Sequence, residues 1–209
     1  MSLQLETSRL ILRAWKNTDL KPFYALNCNP EVMRYFPHCL TRTQSDALAY
    51  KFQSLIETQD WGVWAVELKQ TGEFIGCTGL LAQPHQFTFS PCTEIAWRFQ
   101  QKYWGNGFAT EAATACLNVA FDSLKLSQVV AFTALQNTKS QAVMQRLGMQ
   151  FKDYFNHPAL DDGNSLQRHL LYQITAAQFN KAKAFIKQAD YAKSHDGCGL
   201  NQLNHKPED

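Results

Sequence analysis

Residues 94–112 read EIAWRFQQKYWGNGFATEA, and the reading of this stretch decides the fold. Its first six residues alternate like a strand, with Glu94, Ala96 and Arg98 on one face and Ile95 and Trp97 on the other. Gly105 and Gly107 follow, one residue apart. From Ala109 the small and apolar positions are Ala109, Ala112, Ala113, Cys116, Leu117, Ala120, Phe121 and Leu124. That spacing is one buried helix face. A strand, a glycine loop and a helix in this order suit a phosphate. Glycines let the backbone approach closely, and the unpaired N–H groups of the first helical turn meet the negative charge at the positive end of the dipole. A plain strand-to-helix turn that needs glycine only for its φ angles has the same spacing, so both readings stand at this point. Thr110 occupies the place of a third glycine in GxGxxG, and GxxxxGK[ST] is absent, which disfavours nicotinamide and nucleoside triphosphates.

Upstream, SRLILRAW (8–15) reads as a strand, and NTDL offers Asn17 or Thr18 to cap a helix that runs through Tyr24 and Leu26 to Asn29-Pro30. The pattern from Thr43 through Ala47, Leu48, Tyr50, Phe52, Leu55 and Ile56 predicts a second helix. WGVWAVEL and FIGCTGLL, joined by KQTGE, form a β-hairpin, and TEIAWRF is a third strand of that group. Downstream, QVVAFTAL reads as a buried strand and NTKSQAVMQRLG as a short helix that Gly148 ends. MQFKDYF and LQRHLLYQIT are two further strands, and Thr175 with Gln178 makes a capping box for a last helix to about Gln188. One α/β domain over 1–190 is therefore expected, with a disordered tail over 191–209.

The 209 residues suffice for one such core. A net charge of +2 gives no field that favours nucleic acid or a membrane surface. No window approaches the ~18–20 apolar residues of a spanning helix. The six cysteines are scattered without CxxC pairs or clustered histidines, which argues against a metal site and favours free thiols in a cytoplasmic protein.

EIAWRFQQKYWGNGFATEA, followed by QNTKSQAVMQRLGM (136–149), resembles the GCN5-related N-acetyltransferases, and more narrowly the group of the ribosomal-protein (RimJ/RimL-type) N-terminal acetyltransferases. TSRLILR and the element order match the same group over about residues 5–175. The resemblance implies the GNAT fold, a mixed and mostly antiparallel sheet with splayed central strands flanked by helices. It implies acetyl-CoA as cosubstrate, with no metal, and a primary amine as acceptor, either a protein N-terminus or a small molecule. A monomer or homodimer is expected. The family signature falls on Lys102, Gly105 and Gly107, with Lys102 in place of the usual Gln or Arg. By resemblance the diphosphate lies on the amides of Tyr103, Trp104, Gly105, Asn106, Gly107, Phe108 and Ala109, with Thr110 beside them. The pantetheine arm pairs with the strand edge at Trp97, Arg98 and Phe99, whose side chains can pack in the core meanwhile. Asn137 contacts the pantetheine or the substrate.

Acetyl transfer from a thioester requires a neutral amine, and amines start as ammonium ions with pKa values of about 8 to 10. Glu94 is the candidate base, with a surface pair to Arg98 as its alternative role. Many family members carry a tyrosine where this chain has Met144, so the resemblance shifts proton donation to the departing sulfur onto Ser140, whose alternative role is helix capping. Cys92 and Cys77 rank low as nucleophiles because no oriented histidine lies near them in sequence, His85 being a weak partner. His169 reads as structural. Trp61, Tyr35, Phe36 and the loop QFTFS are possible walls of the acceptor site. A non-catalytic acyl-CoA-binding module on the same fold is the competing reading.

Overall fold

The computed structural model describes residues 4–183. In it one eight-stranded sheet runs in the order β1-β2-β3-β4-β5-β6-β8-β7. The strands are β1 (Leu5–Glu6), β2 (Leu10–Arg13), β3 (Val63–Leu68), β4 (Phe74–Gln83), β5 (Cys92–Phe99), β6 (Gln128–Ala134), β7 (Gln150–Asn156) and β8 (Arg168–Thr175). Every neighbouring pair is antiparallel except β5 and β6, which run parallel. The helices are α1 (Leu20–Asn27), α2 (Pro30–Met33), α3 (Arg42–Gln59), α4 (Phe108–Asn118) and α5 (Thr138–Arg146). The mixed, mostly antiparallel sheet between helices is the fold class read from the sequence.

The helices take opposite faces of the sheet. Arg98 of β5 donates to Asn27 of α1, so the Glu94–Ala96–Arg98 face lies under α1. Thr78, paired with Trp97 across β4 and β5, meets Cys116 of α4, which puts the Trp97 face under α4. The core follows this division. Trp15, Phe23, Phe52 and Phe74 pack with ring centroids 4.7–6.4 Å apart. Ala112, Ala113, Cys116 and Leu117 present the buried side of α4.

Several expected boundaries move. Asn17 and Thr18 belong to a 3-10 turn, Asn17–Asp19, and α1 begins at Leu20. Asp19 decides this. Its carboxylate takes two hydrogen bonds from Arg13, at 2.7 and 2.9 Å, and a third from the Lys16 amide at 2.8 Å. Pro30 opens a new helix as well as ending the first, because Asn29 caps α2 by accepting from the Glu31 amide. Thr41 and Gln44 form a capping box that starts α3 at Arg42. After α4 a π turn, Val119–Ser123, continues the chain before β6. Thr175 and Gln178 make the capping box expected of the last helix, and residues 176–183 are helical. The remainder of that helix and the tail over 191–209 lie outside the described residues.

Candidate active site

The parallel pair β5–β6 pairs at a single position, Glu94 with Val130, whereas β5 pairs with β4 over eight positions. Beyond Glu94 the two strands separate. The Gln100 amide bonds to Ile75 on β4, so alternation turns the N–H and C=O groups of Ile95, Trp97 and Phe99 toward the gap. A strand edge is thus open at the centre of the sheet, where an extended ligand with its own amides can pair. Ile95 takes part in the bridge at Val130, and the Trp104 indole donates to the Phe99 carbonyl at 2.9 Å.

The glycine loop lies at the end of this edge. Gly105 and Gly107 have φ values of +81° and +78°, in the left-handed region that glycine enters at little cost. Gly107 occupies the N-cap of α4 and offers no side-chain cap. The first α-helical bond runs from the Glu111 amide to the Gly107 carbonyl at 3.0 Å, so the amides of Phe108, Ala109 and Thr110 have no helical partner. A Cβ placed on Gly105 would meet nothing within 4 Å. The Thr110 hydroxyl is buried and has no hydrogen-bond partner. Asn106 braces the loop through bonds to the Tyr103 and Trp104 carbonyls, both 3.2 Å.

Glu94 accepts from the Gln83 amide at 2.7 Å, and burial pushes its carboxyl up to about 7 against that bond. The surface pair with Arg98 does not form, because Arg98 is turned under Phe36, with its guanidinium carbon 4.1 Å from that ring centroid. Ser140 does not cap α5. Asn137 does, its Oδ1 accepting from the Ser140 amide at 3.2 Å. The Asn137 amide nitrogen donates to Thr133 Oγ1 at 2.9 Å and to Ser140 Oγ at 3.1 Å. With its oxygen serving as acceptor there, the Ser140 hydroxyl keeps its proton to donate elsewhere. Thr133 and Glu94 stand on opposite faces of the sheet, since Glu94 is level with Val130, three positions from Thr133. The acid–base candidates therefore flank the open gap from its two sides.

Other residues take distinct places. Lys102 is exposed and leans toward Glu73 at 3.5 Å, and Tyr103 donates to the same carboxylate at 2.6 Å. Two cations near the loop escaped the sequence reading because they come from distant elements. Arg9 lies over the Phe108 ring at 4.5 Å, tied to Glu111 at 2.6 Å, and Lys139 lies over Trp104 at 4.4 Å. Burial pushes the Cys77 thiol up to about 11 and raises that of Cys92, so neither is an activated nucleophile. His169 has its Nδ1 3.1 Å from the Gln167 carbonyl. It joins Phe87, Phe89, Phe132, Phe155 and His157 in one aromatic cluster. The loop QFTFS thus forms a wall on the Glu94 face, to which Phe132 belongs. Phe36, beside Arg98, is the second wall.

Among solved structures, a GNAT-family acetyltransferase from Bacillus anthracis superposes with a TM-score of 0.69 at 25% identity, covering 83% of this chain and 98% of its own. The family model described as "Acetyltransferase (GNAT) domain" matches residues 9–150, more than half of the chain. The chain belongs to the GNAT acetyltransferase family. As a GNAT enzyme it is an N-acetyltransferase whose cosubstrate is acetyl-CoA. The uncharacterized N-acetyltransferase YoaA of Bacillus subtilis (strain 168) is 31% identical over 150 residues, covering 70% of this chain and 82% of YoaA. RimJ from Mycobacterium smegmatis, solved with CoA-disulfide, shares the fold with a TM-score of 0.69 at 19% identity, covering 86% of this chain and 89% of its own.

The residues present fit this cosubstrate. The open edge of β5 suits the two amides of a pantetheine arm. The unpaired amides of α4, the vacant space over Gly105 and the partnerless Thr110 hydroxyl suit a diphosphate. Among the described residues no group of three His, Cys, Asp or Glu side chains is placed to hold a metal ion, and no helix is long and apolar enough to cross a membrane.

Proposed function

We propose that this GNAT enzyme transfers acetyl directly from acetyl-CoA to a primary amine within a ternary complex. The backbone groups of Trp97 and Phe99 bind the pantetheine arm, while those of Arg98 between them are turned to β4. The amides from Tyr103 to Ala109, with the Thr110 hydroxyl, bind the diphosphate, and the positive end of α4 favours its charge. Lys102, released from a weak exposed pair, adds a cation. Asn137 orients Ser140.

Glu94 takes the proton of the incoming ammonium, directly or through a water. A carboxyl held near 7 suits that task, because it is ionised enough to act and basic enough to accept. The neutral amine forms a C–N bond to the acetyl carbon. The C–S bond breaks, the Ser140 hydroxyl protonates the sulfur, and the proton that the nitrogen sheds on becoming an amide restores the serine hydroxyl. One observation carries this reading: Glu94 and the Thr133–Asn137–Ser140 chain flank the one gap in the sheet from opposite faces. An amine can enter on one side while a thiol leaves on the other, without a covalent enzyme intermediate.

The acceptor amine belongs to a protein N-terminus or a small molecule. A panel of N-terminal peptides and small amines, read by release of free thiol, tests the proposal. Turnover with at least one class, lost in Glu94→Gln while calorimetric binding of acetyl-CoA persists, supports it. Binding without turnover for any amine would leave only an acyl-CoA-binding module.

A further inference from the structure

Arg98 is a half-buried cation whose Nε is enclosed, and no anion lies beside it. Among the described residues Nη1 finds one acceptor, the neutral Asn27 Oδ1 at 2.5 Å. Nε is sealed from solvent and has no partner. None of the ion pairs among the described residues includes Arg98. Cys77 faces it across the β4–β5 ladder, and its thiol, pushed up to about 11, stays neutral at physiological pH. A guanidinium remains charged in such surroundings. Fastening α1 to the sheet requires only a neutral hydrogen bond to Asn27, and an unpaired, half-buried charge is a costly way to make one.

The arrangement of the guanidinium is specific. Asn27 holds Nη1, and the Phe36 ring lies against the plane at 4.1 Å. The edge that carries Nε is left over, and a guanidinium edge matches a carboxylate in two parallel hydrogen bonds. Arg98 is on the Glu94 face of β5, the side where an amine would enter. Four residue steps of extended chain span the two, ~13 Å between Cα atoms. Along β5, Ala96 is the residue between them on that face. The diphosphate loop does not compete for this edge, since α4 packs on the opposite face of the sheet.

Accepting Glu94 as the base, we propose that Arg98 binds a carboxylate on the acceptor, so that the substrates are small primary amines that carry a carboxylate. Such a molecule lies along β5 over Ala96, its amine toward Glu94 and its carboxylate on the unpartnered edge of Arg98, which it reaches when the exposed Phe36 ring swings off the guanidinium. The enclosed, pre-positioned guanidinium then rejects amines without the anion, because they leave it unpaired.

The test compares kcat/KM for glycine, β-alanine, 4-aminobutanoate, 6-aminohexanoate and L-phenylalanine, each against its own primary amide. The carboxylate form of the best pair should lead by roughly 10- to 100-fold, the range of a hydrogen-bonded charge. In Arg98→Met that ratio should collapse to within about threefold whatever the absolute rate, and Arg98→Lys should restore part of it. Equal kcat/KM within every pair for the unmodified enzyme overturns the proposal, as does a ratio that survives in Arg98→Met. Calorimetry of the unmodified enzyme with CoA supplies a measurement independent of turnover and of variant folding. The N-acetyl derivative of each acid should bind more tightly than that of its amide, and equal binding overturns the proposal. If no amine is acetylated but the N-acetyl acids still bind preferentially, the anion site stands and the transfer reading alone fails.

Discussion

Asn137 holds Ser140 at two points, accepting from its amide at 3.2 Å and donating to its hydroxyl oxygen at 3.1 Å. The same side chain donates to Thr133 at 2.9 Å, so the hydroxyl is fixed to the end of β6. A serine held as an acceptor in this way has one proton left to give. Ser140→Ala should lower kcat about 10²-fold or more, the scale of a positioned acid, with little change in the Kd for acetyl-CoA. Asn137→Ala should lower kcat too, and should also cost about 1 kcal/mol of stability because the helix cap is lost. Single-turnover kinetics with calorimetry separates the effects. A Ser140→Ala enzyme with normal kcat would remove the serine from the chemistry.

Glu94 gives a prediction with two opposite signs. As a base held near 7 by burial, it should make kcat/KM rise with pH and level off above about 7, and Glu94→Gln should flatten that limb as well as lower it. For stability the folded carboxyl lies above its ordinary value of 4.5, so the native state binds its proton more tightly than the unfolded chain does. That contribution is fully present below pH 4.5 and is lost as pH rises through about 7. Glu94→Gln should therefore be more stable than the unmodified protein at pH 8, by roughly 1–3 kcal/mol, and not at pH 4. Urea denaturation at both pH values measures this.

Much of this site was legible in local sequence because its physics is local. Gly105 and Gly107 announce a backbone conformation, and Glu94, Trp97 and Phe99 declare their faces by alternation alone. What was hidden depends on long-range pairing. That β5 and β6 touch only at Glu94 and Val130 is a property of strands more than thirty residues apart, so the open edge came only from the family resemblance. Arg9 reaches the loop from just before β2 and Lys139 from α5, and nothing near them in sequence points there. Asp19 displaced the expected cap at Asn17 or Thr18 because Arg13 claims its carboxylate, a contact that propensity does not register. Asn137 and Ser140 exchanged the cap for a similar reason, since Thr133 fixes the orientation of the Asn137 amide.

The glycine loop separates a ligand cradle from a plain turn. A methyl on Gly105 meets no atom within 4 Å, so Gly105→Ala carries only the strain of a left-handed φ, about 1–2 kcal/mol. The Tm should fall by several degrees. The methyl also projects into the space over the unpaired α4 amides, so the Kd for acetyl-CoA should rise by about tenfold or more if a diphosphate occupies that space. A variant that loses stability but keeps its affinity would reduce the loop to a turn.

His157 and His169 lie 4.9 Å apart in the aromatic cluster that lines the Glu94 face. Burial lowers both pKa values, and the neighbouring His169 lowers that of His157 further. A histidine depressed in the folded state stabilises it above the unfolded value of 6.5, and that contribution is lost as pH falls through the lower folded value. Acid should thus loosen the packing of Phe87, Phe132 and Phe155 around the two rings. The unmodified protein should lose stability as pH falls below 6.5, and His157→Phe should lose less. This acid limb is distinct from the titration of Glu94, whose protonation favours the folded state. In Glu94→Gln that stability loss in acid should persist although the activity limb has flattened. Thermal melts from pH 5 to 8 on both variants decide it, and a melting profile of His157→Phe that overlays the unmodified one would exclude His157 from the acid response.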